Sequence, residues 1–429
     1  MTGKGKGLNI VLTFCLGMSA PWVYPADGHL DKPALADVKD SNWLSAFSGW
    51  KLPDSVQIHG FASQSYLHTT GNEFFGHSTN MGSLDFTEMG INGSWRPISQ
   101  LQASLQVVYR RAGRTDDQDL RIDFGFLDYS FISDADNLWG LRFGRVINPY
   151  GLYNDTRDMP FTRPSILLPQ SIYFDVDRNL SLSSDGIQLY GERRTDFGDF
   201  ILQFNGGYSR TSDPTFKAVI SDPYSGNVEG ELSWVGRLMY EWDSGRFRLG
   251  VTSAEVNAKY EPKGGGQNYE SGRFSFIPII FSAQYNEEYW SITSEYALRG
   301  TEFRGFGPLR PDSDLNGESY YIQGSYKFTD NIEGYMRYDV YYLLQSDRNG
   351  KKYAELVNMY AAPEDRIQPY ETFAKDFTVG ARWDVTDWLM LRAEYHRING
   401  TGWTSTLENS GENNSQHWDM FGVAAAVRF

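Results

Sequence analysis

The chain has 429 residues, 15% of them aromatic (27 Tyr, 27 Phe, 12 Trp), with 43 Gly, a formal net charge of −15 and a mean hydropathy of −0.48. Such acidity argues against nucleic acid or an anionic lipid surface as partner. Beyond the amino terminus no apolar run reaches the roughly 20 residues a membrane-spanning helix needs, so helical spans are excluded and amphipathic strands are favoured.

The chain opens with Lys4 and Lys6 ahead of an apolar stretch from Leu8 to Met18, then small residues at Ser19, Ala20 and Ala26. This pattern predicts a secretory signal over 1–26, too short in its apolar part to anchor in a bilayer. Cys15, the one cysteine, lies within it, so disulfides, thiol catalysis and Cys-ligated metals are excluded from the mature chain. Removing Lys4 and Lys6 takes the charge from −15 to −17. Residues 27–54 read as a short periplasmic pre-barrel segment, in which Asp40 or Ser41 could cap a helix with Trp43, Leu44 and Phe47 on one face.

From residue 55 onward, segments of about ten residues alternate with period two. LQASLQVVYR places Leu101, Ala103, Leu105, Val107 and Tyr109 on one face; FTVGARWDV does so for Phe377, Val379, Ala381, Trp383 and Val385, and LMLRAEYHR for Leu389, Leu391, Ala393 and Tyr395. The opposite faces are polar. The pattern predicts strands at 55–67, 84–96, 100–112, 119–132, 137–147, 186–194, 198–208, 229–242, 245–258, 272–286, 287–300, 317–328, 331–345, 371–385, 387–399 and 417–429. Between them short turns alternate with mostly long polar loops. That is the signature of an all-β, transmembrane, antiparallel up-and-down barrel of about 16 strands, occupying 55–429, with its apolar face to lipid and a polar lumen. Closure removes the sheet edges that lipid cannot satisfy.

The last strand, HWDMFGVAAAVRF, sets Phe421, Val423, Ala425, Val427 and Phe429 on the lipid face, and the first contains IHGFASQSYL. Together with the leader and the turn-loop alternation, these segments resemble the Gram-negative outer-membrane porins, of the general or phosphate-selective kind, over most of the mature chain. The resemblance implies a cell outer-membrane location, contact with outer-membrane lipid and lipopolysaccharide, a homotrimer, and a third external loop folded inward as a constriction. By that count the third loop is 148–186, whose Pro160, Pro164, Pro169, Ile166, Leu167, Leu168, Tyr173 and Phe174 argue for packing over disorder. An external lid or trimer-contact loop is the alternative.

A barrel of about 16 strands leaves an aqueous channel, so the expected function is passive diffusion of small hydrophilic solutes and ions. The constriction residues are Arg145, Asp155, Arg157, Asp158, Arg163, Asp175, Asp177 and Arg178, with Arg145 either a hinge anchor or a pore residue. Strand parity points Arg110, Arg142, Arg237, Arg337, Arg382 and Arg392 into the lumen beside Glu88, Glu295, Asp339 and Glu394. An arginine wall opposite loop carboxylates would set up a transverse field that orients dipolar solutes. Lys327 is the sole lysine read onto the lumen face, where phosphate-selective porins carry lysine clusters. Tyr321, Tyr335 and Tyr341 read as wall packing or a sugar track.

No cofactor is implied. Asp312, Asp314 and Asn316 resemble half of a calcium loop, but Gln323 stands where the closing Glu belongs. The six histidines, His29, His59, His68, His77, His396 and His417, sit mostly near strand ends without HExxH or GxSxG, so no catalytic residues are assigned. A scaffold or receptor barrel with little conduction is the second reading.

Overall fold

The computed structural model describes residues 53–116, 119–176, 178–221, 226–264, 269–359, 361, 366–409 and 414–429. The expected leader, most of 27–54, and Asp177 lie outside them. The strands are β1 (Val56–Thr69), β2 (Ser83–Ile98), β3 (Leu101–Ala112), β4 (Leu120–Ser133), β5 (Asn137–Ile147), β6 (Ser183–Thr195), β7 (Gly198–Ser209), β8 (Gly226–Gly230) and β9 (Leu232–Trp242). They continue as β10 (Phe247–Pro262), β11 (Gly272–Asn286), β12 (Trp290–Arg304), β13 (Ser313–Thr329), β14 (Ile332–Tyr342), β15 (Phe373–Thr386), β16 (Leu389–Gly400) and β17 (His417–Arg428). Three short helices interrupt the long connections: α1 (Arg178–Leu182), α2 (Pro214–Ser221) and α3 (Lys351–Asn358).

Neighbours pair antiparallel in chain order, and β1 pairs with β17, so the sheet closes. Only Glu231 separates β8 from β9, and both pair with β10, so the two act as one wall position and the barrel has sixteen. All sixteen expected strands are present, with short turns such as 99–100 and 134–136 at one rim and long connections at the other. At the seam, Gly60 and Phe429 exchange both backbone hydrogen bonds at 3.1 and 3.0 Å. The Phe429 ring lies over Gly60 so closely that a Cβ there would fall 2.2 Å from Cζ. A larger residue at that crossing would have to displace the Phe429 ring.

Alternation produces the expected lipid face over the middle of the wall: Leu105, Ile187, Leu238, Phe281, Phe377 and Tyr395 are exposed there. The inner face corrects the expectation of uniform polarity. Along β10 the inward set begins with Arg248, Gly250 and Thr252, then changes to Ala254, Val256, Ala258 and Tyr260, all buried. Over the same length the outward set passes from Leu249 and Val251 to Ser253, Glu255, Asn257, Lys259 and Glu261. Past Thr252 the strand thus buries its apolar face inward, as in a water-soluble sheet.

Two apolar clusters follow from this inversion. One joins the outer ends of β1–β3 and β14–β17, through Leu67, Phe86, Ala374, Ile398 and Met420, to Phe74, Phe75 and Trp403 of the connections and to Ile166 and Leu167. The other packs Phe216 and Ile220 of α2 with Val256, Tyr260, Phe274, Phe303 and Phe306 along β8–β12. Glu408 ties the first cluster's connections together, accepting hydrogen bonds from the backbone N–H groups of Phe75 (3.0 Å), Gly76 (2.8 Å) and Arg114 (2.8 Å).

Candidate pore lining

The segment between β5 and β6 is stapled at its root. Asn154, in a single 3-10 turn, donates through Nδ2 to the carbonyls of Asn148 (2.9 Å), Ser181 (3.1 Å) and Leu182 (3.1 Å), so the chain enters and leaves at one point. Beyond it the prolines 160, 164 and 169 lack N–H groups and break any ladder. Its carbonyls must then find other donors, and the inward-facing arginines supply them. Arg382 donates to Phe161 O (3.0 Å), Arg392 to Arg163 O (2.5 Å) and Ser165 O (2.7 Å), and Arg337 to Ser165 Oγ (2.7 Å) and Leu167 O (3.2 Å).

Carboxylates of the wall receive the segment's donors in the same way. Glu394 accepts from Ile166 N (2.5 Å) and Asp339 from Ser171 N (3.3 Å). Glu295 accepts from Leu152 N (3.0 Å), Tyr173 Oη (2.6 Å), Ser282 Oγ (2.6 Å) and Tyr321 Oη (3.0 Å). Ion pairs complete the set: Arg163 with Glu88 (2.5 Å), Arg110 with Asp175 (3.0 Å) and Arg237 with Asp155. The segment thereby touches the inner faces of β2, β3, β9, β12, β14, β15 and β16. Strands β9 and β16 lie on opposite sides of the closed sheet.

Within the segment, Arg157 donates to Tyr173 O (3.0 Å), Phe174 O (2.7 Å) and Asp175 Oδ1 (3.2 Å), while Arg178 pairs with Asp158. Burial opposes ionisation of Asp175, but Arg110 and Arg157 outweigh it and hold its carboxyl below the usual carboxylate range. The loop carboxylates Asp155 and Asp175 therefore meet wall arginines directly. Two residues stand apart. Arg142 faces inward but pairs with Asp128 (2.8 Å) and Gln188 (2.9 Å), away from the segment.

Arg145 corrects the expectation of a pore residue: it lies on the outer face beside the exposed Phe143. There it pairs with Asp185 through two hydrogen bonds, of 2.7 and 2.9 Å, and donates to Ile122 O at 3.0 Å. Gly144, at φ +128°, precedes it and marks the local departure from regular strand. Arg145 and Asp185 border a lipid-side groove of about 470 Å³.

The calcium reading is also corrected. Asp314 and Asn316 belong to the extended strand β13, Asp314 pairs with Arg304, and Asp312 accepts from Gly305 N at 2.8 Å. Among the described residues no group of three His, Cys, Asp or Glu side chains is placed to hold a metal.

Some participants were missed in the sequence. Asp376 and Glu394 flank His396, whose Nδ1 lies 2.8 Å from Asp376 and Nε2 3.2 Å from Glu394. Both ring nitrogens face carboxylates, and through Asp376 the imidazole ties β16 to β15. The alternation of LMLRAEYHR already sets Glu394 and His396 on the inward face, whereas Asp376 lies just before the FTVGARWDV stretch. Their juxtaposition came from the β15–β16 register, which pairs Asp376 with Ile398 and Gly380 with Glu394. The inner tyrosines Tyr321 and Tyr335 are buried and hydrogen-bonded to Glu295 and Glu394, which makes them wall packing.

No family model matches the chain, and no curated protein matches it. Solved structures do. A trimer form of OmpT from Vibrio cholerae is similar at 12% identity, covering 87% of this chain and 99% of that one, with a TM-score of 0.52. The anion-selective porin of Comamonas acidovorans is 13% identical over 87% of this chain and 99% of its own (TM-score 0.51). The outer-membrane channel DcaP of Acinetobacter baumannii is 12% identical over 87% and 97% (TM-score 0.51). The fold is the porin barrel. At such identities the likeness concerns architecture alone, a closed antiparallel barrel, and the apolar outer band is what transmembrane strands of such a barrel present to lipid.

Proposed function

We propose that the protein is an outer-membrane channel for passive diffusion of small hydrophilic solutes and ions, with residues 148–182 as its constriction, and that it has no catalytic role. One observation carries this reading: the segment is bonded to inner-face residues on both sides of the barrel, from Glu88 and Arg110 to Arg237, Glu295 and Glu394. In this mechanism the wall arginines have two duties. Arg337, Arg382 and Arg392 position the segment through its carbonyls, and Arg110 and Arg237 neutralise its carboxylates. What a solute meets is then a lining of closely spaced opposite charges, polar enough to replace part of its hydration. The leader 1–26, the periplasmic segment 27–54, lipopolysaccharide contacts along the outer band, and a homotrimer like the trimer form of Vibrio cholerae OmpT belong to the same proposal.

Planar bilayers test it. Purified protein should give stepwise conductance, and removing 160–170, which seats on Arg337, Arg392 and Glu394, should raise the unitary step several-fold. Steps of unchanged size after the deletion would exclude the segment as constriction. The second reading, a scaffold or receptor barrel with little conduction, is favoured by the two apolar clusters at the outer mouth, and a complete lack of steps would select it.

A further inference from the structure

Outward from Glu295 along the inner face of β12 come Ala297, Arg299, Thr301 and Phe303. Arg299 stands where the two apolar clusters meet and is only 7% exposed. Its guanidinium carbon lies 4.2 Å from the ring centre of Tyr341 and 5.2 Å from that of Phe174. Nη2 donates to Tyr342 O at 3.0 Å, and Nε is buried without an acceptor.

Arg110, Arg157, Arg163 and Arg237 each have a carboxylate partner; among the described residues Arg299 has none. Arg337 and Arg392 also lack one, but they are engaged by the backbone of 163–167. Arg299 is left with two aromatic faces and one carbonyl for five N–H donors. A buried cation so placed is stabilised in part by the rings, and the counter-charge that desolvation calls for is missing. Further out on the same side, Arg310 lies 3.9 Å from the ring centre of Phe303 and 5.5 Å from that of Phe306. Two guanidinium groups, of Arg299 and Arg310, thus lie over aromatic rings on this side of the outer mouth.

We propose that Arg299 is a docking site for monoanionic solutes with a flat apolar body, aromatic carboxylates above all, on their way to the constriction. The carboxylate takes the guanidinium in the forked geometry that Arg offers, and the ring rests against Phe174, Tyr341 and Leu343. A small anion would gain only the charge, and a neutral aromatic only the contact. This rests on the channel reading for its purpose but not for its test.

The probes are benzoate, its neutral isostere benzamide, and acetate, added to the purified full chain. Equilibrium binding is followed by calorimetry, and interruption of current is followed in bilayers. Benzoate should bind at least about tenfold more tightly than either control, the scale of one charge-assisted hydrogen bond. Arg299→Gln should weaken benzoate by about tenfold and leave benzamide unchanged, with Arg299→Lys between the two because an ammonium cannot form the fork. Equal binding of benzoate and benzamide to the unaltered protein overturns the proposal, as does undiminished benzoate binding by a folded Arg299→Gln protein. Where that variant does not fold, the comparison of three probes on the unaltered protein decides alone. Benzoate preference without current steps sinks the channel and spares the site; current steps without that preference do the reverse.

Discussion

The middle and the outer end of the same wall obey opposite rules. Around Leu238, Val251 and Phe281 the apolar face looks out and the polar face, with Arg237 and Glu295, looks in. Past Thr252, or past Arg299 on β12, the apolar face looks in and Glu255, Lys259 and Glu302 look out. The reason is the solvent on each side. In the band the outside is hydrocarbon, and beyond it both sides would be water unless the connections roofed the inside, as Phe75, Trp403, Phe216 and Phe306 do. One ladder of hydrogen bonds thus serves a membrane protein below and a packed, soluble-like core above.

Substitutions should separate the two halves. The largest effect is expected from Phe306→Ala, which empties a fully buried ring site and should cost about 3–5 kcal/mol in urea unfolding; a cost under about 1 kcal/mol would show that the outer mouth is not a core. Next, Leu238→Arg at the half-exposed band position should cost about 2–4 kcal/mol when refolding into bilayers. Lys259→Ala, on the same outward face of the adjacent strand but beyond the band, should leave refolding unmoved. A comparable penalty at both positions would place the bilayer boundary elsewhere.

Third, Glu408→Ala orphans three backbone N–H groups and should lower local stability by about 1–3 kcal/mol. The readout is faster hydrogen exchange at Phe75, Gly76 and Arg114 with β10 amides unchanged. The smallest effect concerns acid. Because the Asp175 carboxyl is held below its ordinary value of about 3.9, its contribution to seating the segment is fully present above that value and is lost only as pH falls through the lowered one. The part of the unitary conductance that depends on Asp175, read as the difference from Asp175→Asn, should therefore stay constant from pH 7 to about pH 4. An Asp175-dependent change within that range, absent from Asp175→Asn, would contradict the clamp.

The strands were legible because period two survives in either solvent. Ala254, Val256, Ala258 and Tyr260 share a face with Thr252 whichever way that face looks. Which way it looks was not legible, since parity sorts residues into two sets without naming the inside, and the band's rule was carried too far up the wall. Parity pointed Arg110, Arg237, Glu295, Arg337, Asp339, Arg392 and Glu394 inward, and these side chains are buried on the inner face. The loop half of the site was not legible, because a proline-broken segment has no period from which partners such as Ser165 or Ser171 could be deduced. Arg145 was ambiguous because Gly144 interrupts the strand just before it. The calcium reading failed because β13 begins at Ser313, four residues earlier than the alternation suggested, and extends the would-be loop.

The seam at Gly60 and Phe429 bears on the order of events in assembly. Every other neighbouring pair in the wall comes from strands consecutive in the chain, joined by a short turn at one rim or a longer connection at the other, and none has to close a loop as long as the whole barrel. The β1–β17 pair draws together the two most distant strands, so an enclosed lumen exists only after this last contact. Until then β1 and β17 are bare edges, able to recruit another strand as readily as each other. An added methyl at Gly60, by pushing against the Phe429 ring, would act on that final step while leaving the hairpins before it intact.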